Sequence, residues 1–281
     1  VPAQAIDQPA SAAVALTPAA ARHADMPART RLFVVSLART PERRATFAAR
    51  AGEAGIEWQF FDACEGLAEG LNYDEAQARL HYGRPLKASE LGCYSSHFQL
   101  WSRLLDDDAA QYIILEDDVI ADWAMLRIVA QTDFAGSDAN YLRLYYKSPC
   151  PHVVRKRRYL TRNSHLLELF GPAYGTQGYV ITRAAAQRLV PWCRNVTRPI
   201  DDQLDRFWEH GVPTLCLFPF PLVEEARGST IGDDRFSETD RSLKRRMRIA
   251  RDLARRRAAI LRRRALRQDW TAIAFPGEPE A

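Results

Sequence analysis

The chain of 281 residues lacks three patterns that assign many proteins to a class. Its five cysteines are scattered and include no CxxC pair, so we expect neither a zinc site built on paired cysteines nor a disulfide framework, and a reducing, cytoplasmic setting is the simplest inference. No apolar run approaches the roughly 20 residues that span a bilayer. No Walker-type glycine-rich loop is present, which argues against a phosphotransferase or nucleotidyltransferase.

Charge is divided unevenly along the chain. Thirteen of the 39 Lys and Arg residues, but only one of the 35 acids, lie between Arg241 and Arg267. The rest of the chain carries 26 basic and 34 acidic residues, a net charge of −8, whereas this segment carries +12. We expect a flexible Ala- and Pro-rich tail without the basic start of a signal peptide (1–30), a folded domain (31–236), a basic helical arm (237–270) and a second tail (271–281).

Apolar runs alternate with helical patterns in the body of the chain. The expected strands are 31–37, 57–61, 112–115, 140–146, 178–182 and 213–218. The expected helices are 41–54, 89–105, 183–193 and 201–210. Because strands alternate with helices, the sequence predicts an α/β fold with a mostly parallel central sheet.

The most informative stretch is an apolar strand that ends in three acids. The run YIIL (112–115) is followed by Glu116, Asp117 and Asp118. Such a run suits a strand buried on both faces, and three carboxylates cannot be buried unpaired. In open α/β sheets ligands sit beyond the carboxyl ends of strands, where Mg²⁺ or Mn²⁺ with bound phosphate oxygens would suit these acids. Alternate strand residues share a face, so we favour Asp118 as the main metal ligand with Glu116 as a helper; an acidic turn in solvent is the alternative.

Two further pairs of side chains are candidates for a site. Arg39 and Arg43 follow the first strand four residues apart, so both could face one anion, and guanidinium groups bind phosphate through paired donors. Surface arginines are the alternative, and Arg39 is the preferred member because it lies in the loop at the strand's carboxyl end. Glu90 and His97 bracket one helix, where a dipole contact at the helix start and a packed histidine are the alternatives.

Five short segments, in order over roughly residues 34–201, together resemble glycosyltransferase family 25, the lipooligosaccharide galactosyltransferases and their collagen-modifying relatives. They are VVSLAR (34–39) with Arg43-Arg44, ELGC (90–93) with Ser96-His97, LEDD (115–118), GYVIT (178–182) with Ala184-Ala185, and PID (199–201). The family usually has Asn where this chain has Ser36. A degenerate member that binds a nucleotide sugar without transferring it therefore stays an alternative.

The resemblance implies a GT-A-like nucleotide-sugar-binding fold, a UDP-sugar donor, a divalent metal (Mn²⁺ or Mg²⁺) and inversion at the anomeric carbon. It predicts an enzyme that moves a hexose, with galactose as the first choice, to a saccharide acceptor of lipooligosaccharide type. Inversion needs a base for the acceptor hydroxyl, and Asp201 is the preferred base or else a metal-side ligand, with helix capping as the alternative role. The predicted residues are Asp201, Glu90 and His97 for catalysis, Ser36, Arg39, Arg43, Glu116, Asp117 and Gly178 for donor binding, and Asp118 and Glu116 for the metal.

The basic arm carries a thin apolar stripe. Leu243, Met247 and Leu261 recur with alanines on one helical face, and arginines surround them. This pattern favours adsorption to an anionic membrane surface over deep insertion. A lipid-linked acceptor at the inner face of the cytoplasmic membrane fits that interpretation, so the predicted location is cytoplasmic and peripheral. Nucleic-acid binding is the rival for an Arg-rich helix but is not expected, because it leaves the acidic body unexplained; a solvated helix or a dimer contact is the other alternative.

Overall fold

A computed structural model describes residues 30–225 and 242–265 of the chain. The strands are β1 (Thr30–Ser36), β2 (Gln59–Asp62), β3 (Asn72–Tyr73), β4 (Gln111–Glu116), β5 (Val119–Ala121), β6 (Tyr141–Arg143), β7 (His152–Lys156), β8 (His165–Leu169), β9 (Gly178–Thr182), β10 (Asn195–Val196), β11 (Leu215–Phe218) and β12 (Leu222–Glu224). The helices are α1 (Pro41–Arg50), α2 (Glu75–His81), α3 (Ala88–Asp106), α4 (Trp123–Gln131), α5 (Arg183–Cys193), α6 (Ile200–Leu204), α7 (Phe207–His210) and α8 (Leu243–Ala265).

Eight strands form one central sheet in the order β2-β1-β4-β9-β6-β11-β8-β7. The pairs β2–β1, β1–β4 and β6–β11 are parallel, whereas β9 is antiparallel to both its neighbours and β8 is antiparallel to both of its own. The α/β class is therefore confirmed, but the sheet is mixed rather than mostly parallel. The expectation failed because an apolar run that is buried on both faces predicts a strand without predicting its direction.

The central strand β4 is covered on both faces. Its Tyr112 and Ile114 belong to an apolar cluster that includes side chains of α3 and α5. Its Ile113 and Leu115 belong to a second cluster that includes side chains of α1 and α4. Each fully buried side chain of this size contributes about 1.5–3 kcal/mol to folding. The strand is thus held rigidly up to its carboxyl end, where the three acids begin.

Most of the predicted elements are confirmed, with ends shifted by a few residues. The expected strand 140–146 is shorter, because β6 ends at Arg143, and the expected helix 201–210 is divided into α6 and α7. Helices α2 and α4 and the β7–β8 hairpin were not expected. Helices α6 and α7 are separated at Asp205. The Asp205 carboxylate forms an ion pair with Arg143, which is described below.

Helix α8 packs against the body of the protein through charged side chains. Arg206, just before α7, pairs with Asp252 at 2.6 Å. The Nε of Arg256 donates a hydrogen bond to the carbonyl oxygen of Phe170 at 2.8 Å. These contacts attach the described part of the basic segment to the body through one face of the helix.

The opposite face of α8 is open to solvent and carries apolar side chains among arginines. Leu243, Met247 and Leu261 are 71%, 66% and 64% exposed. With about 3.6 residues per turn, they lie on the side of the helix that faces away from Asp252. Among the described residues, none of the helices has the length and apolar character needed to cross a membrane. The predicted tail before Thr30, and the ends of the predicted arm at 237–241 and 266–270, lie outside the described residues.

Candidate active site

The three acids lie where the carboxyl ends of the parallel strands β1 and β4 meet. Ser36, the last residue of β1, donates a hydrogen bond from its hydroxyl to Asp117 Oδ2 at 2.6 Å. Arg43 reaches across from α1, forms an ion pair with Asp117 and lies 3.3 Å from Asp118 Oδ2. Four residues of the predicted donor and metal sets are therefore brought together at one edge of the sheet.

Asp118 is held in a setting that disfavours its negative charge. Burial and the neighbouring charge of Glu116 raise the pKa of Asp118 from 3.8 to about 7, although Arg43 acts in the opposite direction. Its Oδ1 is buried and has no hydrogen-bond partner among residues 30–225 and 242–265. A divalent cation would satisfy this oxygen and favour the ionised form, so the residues present fit a hard metal ion.

Glu116 is held by the turn that precedes β9. Thr176 donates a hydrogen bond from its hydroxyl to Glu116 Oε1, and the Glu116 backbone N–H donates to the carbonyl oxygen of Gln177 at 2.9 Å. His97 of α3 has its Nε2 3.7 Å from the same carboxylate oxygen. Burial raises the pKa of Glu116, but the interactions with His97 and Thr176 outweigh it, and the pKa lies below its usual value. Glu116 therefore remains an anion beside Asp118.

A buried ion pair fixes the turn that precedes β9. Arg143 and Asp205 are 1% and 2% exposed and form a 2.7 Å hydrogen bond. Asp205 accepts hydrogen bonds from the backbone N–H groups of Ala173 and Tyr174 at 2.7 and 2.8 Å. Arg143 donates to the carbonyl oxygens of Tyr174 and Gly175 at 2.9 and 2.7 Å. The pair thereby fixes two consecutive residues with positive φ, 53° at Tyr174 and 83° at Gly175, immediately before Thr176.

Asp201 lies beside this turn. Its Oδ2 accepts a hydrogen bond from the Gly175 backbone N–H at 3.2 Å, and its Oδ1 accepts one from the Asp202 N–H at 2.9 Å. Pro199 occupies the N-cap position of α6, so Asp201 contacts the first turn without being the cap residue.

Burial, followed by the negative charges of Glu116 and Asp201, raises the pKa of the Cys93 thiol well above its usual value. The carboxylates of Glu116 and Asp201 thus act on the same side chain of α3.

Two predicted residues have other contacts. Glu90 is buried, and its oxygens bond to the Arg84 guanidinium at 2.7 and 2.9 Å and to the Lys87 backbone N–H at 2.9 Å, which makes it part of the α3 N-terminus. Arg39 forms an exposed ion pair with Glu65. Of the two arginines, it is Arg43 that reaches the acids, although Arg39 was the preferred prediction.

Two glycines are required by packing. A Cβ on Gly178 would lie 2.1 Å from a methyl carbon of Leu222 and 2.9 Å from one of Leu115. A Cβ on Gly92 would lie 2.3 Å from the carbonyl oxygen of Cys64, so α3 can approach that loop only without a side chain there. The predicted donor contact of Gly178 stays a prediction, and the contacts around it account for the glycine by sterics.

Sequence reasoning missed several residues that shape the site. Arg143 and Asp205 are 62 residues apart in the chain and carry no local signal for their pairing. Lys147, which pairs with Glu224 at 2.6 Å, also has no sequence signature.

Comparison with known proteins shows the family of the chain. The model of "Glycosyltransferase family 25 (LPS biosynthesis protein)" matches residues 29–204, which is more than half of the chain and includes Asp201 and all three acids at the end of β4. The chain belongs to glycosyltransferase family 25.

Individual relatives come from bacteria and animals. The chain is 31% identical over 211 residues to the lacto-N-neotetraose biosynthesis glycosyltransferase LgtB of Neisseria meningitidis, covering 68% of this chain and 74% of that protein. It is 26% identical over 208 residues to a glycosyltransferase 25 family member of Drosophila melanogaster, covering 68% and 34% of the two chains. It is 25% identical over 169 residues to procollagen galactosyltransferase 1 of Danio rerio, covering 57% and 28%. The match therefore spans about a third or less of these animal relatives.

Proposed function

We propose that this protein transfers a hexose, with galactose as the first choice, from a UDP-sugar to a saccharide acceptor of lipooligosaccharide type. The observation that carries the proposal is the pair of neighbouring carboxylates, Glu116 and Asp118, at the carboxyl end of β4 within the matched region. The names of relatives support the sugar and the acceptor, since LgtB is a lacto-N-neotetraose biosynthesis enzyme and the Danio rerio relative is a galactosyltransferase. An acidic cluster at this edge of an α/β sheet is compatible with a GT-A-like fold.

Asp118 and Glu116 would hold Mn²⁺ or Mg²⁺ in this proposal. The bound cation would neutralise the negative charge that develops on the departing diphosphate. Arg43 already lies between Asp117 and Asp118, and its guanidinium is placed to bind a phosphate oxygen once a cation has taken over part of their charge. Ser36 orients Asp117 through its hydroxyl, so serine at this position retains a polar role in the site.

Asp201 is our candidate for the base of an inverting transfer. Its carboxylate is only partly buried, and it is oriented by the N–H groups of Gly175 and Asp202. A positioned carboxylate of this kind can take the proton of an acceptor hydroxyl as the oxygen attacks. Glu90 is a weaker candidate because both of its oxygens are engaged by Arg84 and the start of α3.

The donor assignment is tested by a screen of UDP-sugars with Mn²⁺, recording both UDP release and thermal stabilisation. We expect UDP-galactose to give the largest stabilisation and to release UDP when an acceptor is added. Stabilisation by a UDP-sugar without any release in the presence of acceptors would favour the non-transferring alternative. No response to any UDP-sugar would contradict the donor class.

The exposed face of α8 suits an anionic membrane surface, where a lipid-linked acceptor would be found. Leu243, Met247 and Leu261 face away from the body, and the neighbouring Lys244 and Arg262 are exposed. Apolar side chains flanked by basic ones adsorb to anionic lipid, with about 1 kcal/mol for each basic residue near the surface.

A variant with glutamine at these three apolar positions tests the membrane proposal. It keeps the charge of α8 and the contacts of its inner face, so it should fold normally and lose most of its binding to phosphatidylserine vesicles. Leu67→Gln is the matched control, because Leu67 is 42% exposed on the body. Unchanged vesicle binding in the triple variant would contradict the proposal, and tight, salt-sensitive binding to RNA would favour the nucleic-acid rival.

A further inference from the structure

Three side chains of different chemistry converge behind the acidic cluster. Cys93 and His97 lie four residues apart on one face of α3, and Glu116 approaches them from the end of β4. One ligand atom from each, a sulfur, a ring nitrogen and a carboxylate oxygen, can be chosen so that all three lie within 4.8 Å of one another. Sulfur, nitrogen and oxygen in one cluster differ from the all-oxygen pair of Asp118 and Glu116.

The imidazole of His97 is oriented as in many metal sites. Its Nδ1 lies 2.8 Å from the hydroxyl oxygen of Tyr179, which also accepts a hydrogen bond from Trp101 Nε1 at 2.8 Å. In the metal-free protein an N–H on Nε2 can face Glu116. With a cation bound, Nδ1 would donate to the tyrosine oxygen, which has two lone pairs and can accept from both His97 and Trp101, and the lone pair on Nε2 would face the cation. Histidine ligands commonly donate their second N–H to such an outer partner.

His97 Nε2 itself is a buried polar atom without a hydrogen-bond partner within the described part of the chain. The His97 side chain is fully buried, and its nearest carboxylate oxygen, Glu116 Oε1, is 3.7 Å away. Buried nitrogens are seldom left unpaired in folded proteins. The Cys93 side chain is half-buried, whereas His97 is fully buried.

The spacing suits a small tetrahedral ion. Metal–ligand distances of about 2.0–2.3 Å place the ligand atoms of a tetrahedral site roughly 3.5 Å apart. The separation between His97 and Glu116 already has this value, and the widest separation needs to close by only about 1 Å through side-chain rotation. Thiolate, imidazole and carboxylate together favour borderline-soft ions over Mg²⁺ or Mn²⁺.

We propose that Cys93, His97 and Glu116 form a second cation site that binds Zn²⁺ or a chemically similar divalent ion. When this site is filled, Glu116 is withdrawn from the oxygen site that it would share with Asp118, and sugar transfer stops. Cation binding is inferred from the cluster alone, whereas inhibition of sugar transfer rests on the proposed function.

Cobalt absorption tests binding without any need for activity. The purified chain, freed of metal and then given Co²⁺, should give a thiolate-to-Co²⁺ band in the near ultraviolet and the intense visible bands of tetrahedral Co²⁺. Cys93→Ser should remove the band and weaken Zn²⁺ binding by about 100-fold or more, since loss of outer-shell partners alone costs about 10–100-fold. Cys64→Ser is the matched control, because Cys64 is also a half-buried free thiol and contacts Gln99 instead of the cluster. Asp118→Asn should keep the band.

Several results would overturn the proposal. They are a weak octahedral Co²⁺ spectrum in the native protein, an equal loss of the band in Cys64→Ser, or a band that survives in Cys93→Ser. Circular dichroism of Cys93→Ser confirms that the variant is folded when the spectra are compared.

In a transfer assay with excess Mn²⁺, micromolar Zn²⁺ should inhibit the native enzyme at least tenfold more strongly than Cys93→Ser, each relative to its own rate. If the enzyme transfers no sugar but shows the cobalt band, the proposed function fails while the cation site stands. Equal inhibition of both proteins would contradict the inhibitory role.

Discussion

Asp118→Asn is expected to stabilise the metal-free protein while removing its activity. Burial and the charge of Glu116 raise the pKa of Asp118 from 3.8 to about 7 in the folded state. Between these two values the folded protein holds a proton that the unfolded chain has released, so the free energy of unfolding falls as pH rises through this window. The loss is complete above about pH 7. An asparagine carries no charge, so the variant does not lose this stability as pH rises.

The size of the effect follows from the same two pKa values. Keeping the Asp118 carboxylate costs about 4 kcal/mol of folding stability at pH 8 but only about 2 kcal/mol at pH 5. The substitution should therefore raise the free energy of unfolding, and the gain should be about 2 kcal/mol larger at pH 8 than at pH 5. The attraction between Arg43 and Asp118 opposes this cost and is already included in the pKa of about 7.

Urea unfolding in EDTA at the two pH values measures both gains. Asp138→Asn is the control, because Asp138 is exposed and distant from the acidic cluster, and it should change little at either pH. Adding Mn²⁺ should stabilise the native protein and not Asp118→Asn. A variant that is no more stable than the native protein at pH 8, or a gain that is the same at both pH values, would contradict a raised pKa of Asp118 in the folded state.

Three further predictions concern other parts of the site and core. Asp201→Asn should lower turnover by about 100-fold or more with donor affinity unchanged by calorimetry, whereas an unchanged rate would leave this carboxylate with only a structural role. Arg143→Met leaves Asp205 as an unpaired buried acid and should lower the free energy of unfolding by about 3–5 kcal/mol in urea; a loss under about 1 kcal/mol would contradict this. Burial lowers the pKa of His210 from 6.5 to about 4, so the folded state lacks a proton that the unfolded chain binds, and stability should fall as pH drops from 6.5 to 4. His210→Gln should flatten this fall by about 3 kcal/mol in urea titrations at pH 7 and 4, and an unchanged slope would disprove the assignment.

The elements around the acidic cluster could be predicted because their signals are local. The apolar run before Glu116 is buried on both faces, and its alternation between two clusters follows from strand geometry. The strand GYVIT (178–182) and the helix 183–193 were predicted with the same bounds that they have in the structure. Strand direction was not predictable in this way, since burial on both faces is the same for parallel and antiparallel neighbours.

The contacts within the site depend on residues far apart in sequence, and here prediction was weaker. Arg39 was preferred over Arg43 on its distance along the chain from the strand, but the direction of the α1 face decides which one reaches Asp117. Glu90 was predicted to be catalytic, but its carboxylate forms an ion pair with Arg84, six residues earlier in the chain. The Arg143 ion pair that shapes the turn before β9 has no local pattern at all. Such pairings become visible only when the packing of several elements is known.

Metal-dependent hexose transfer at the acidic end of β4 is tested most directly by the rate of transfer from UDP-galactose to a lipooligosaccharide-type saccharide acceptor. The rate is compared between the native protein and Asp118→Asn, each with Mn²⁺ and with EDTA. UDP release should match acceptor glycosylation in the native protein with Mn²⁺, and EDTA or the substitution should lower the rate by orders of magnitude. Undiminished transfer in EDTA, or full activity of the folded variant, would contradict a metal-binding role for the acidic end of β4.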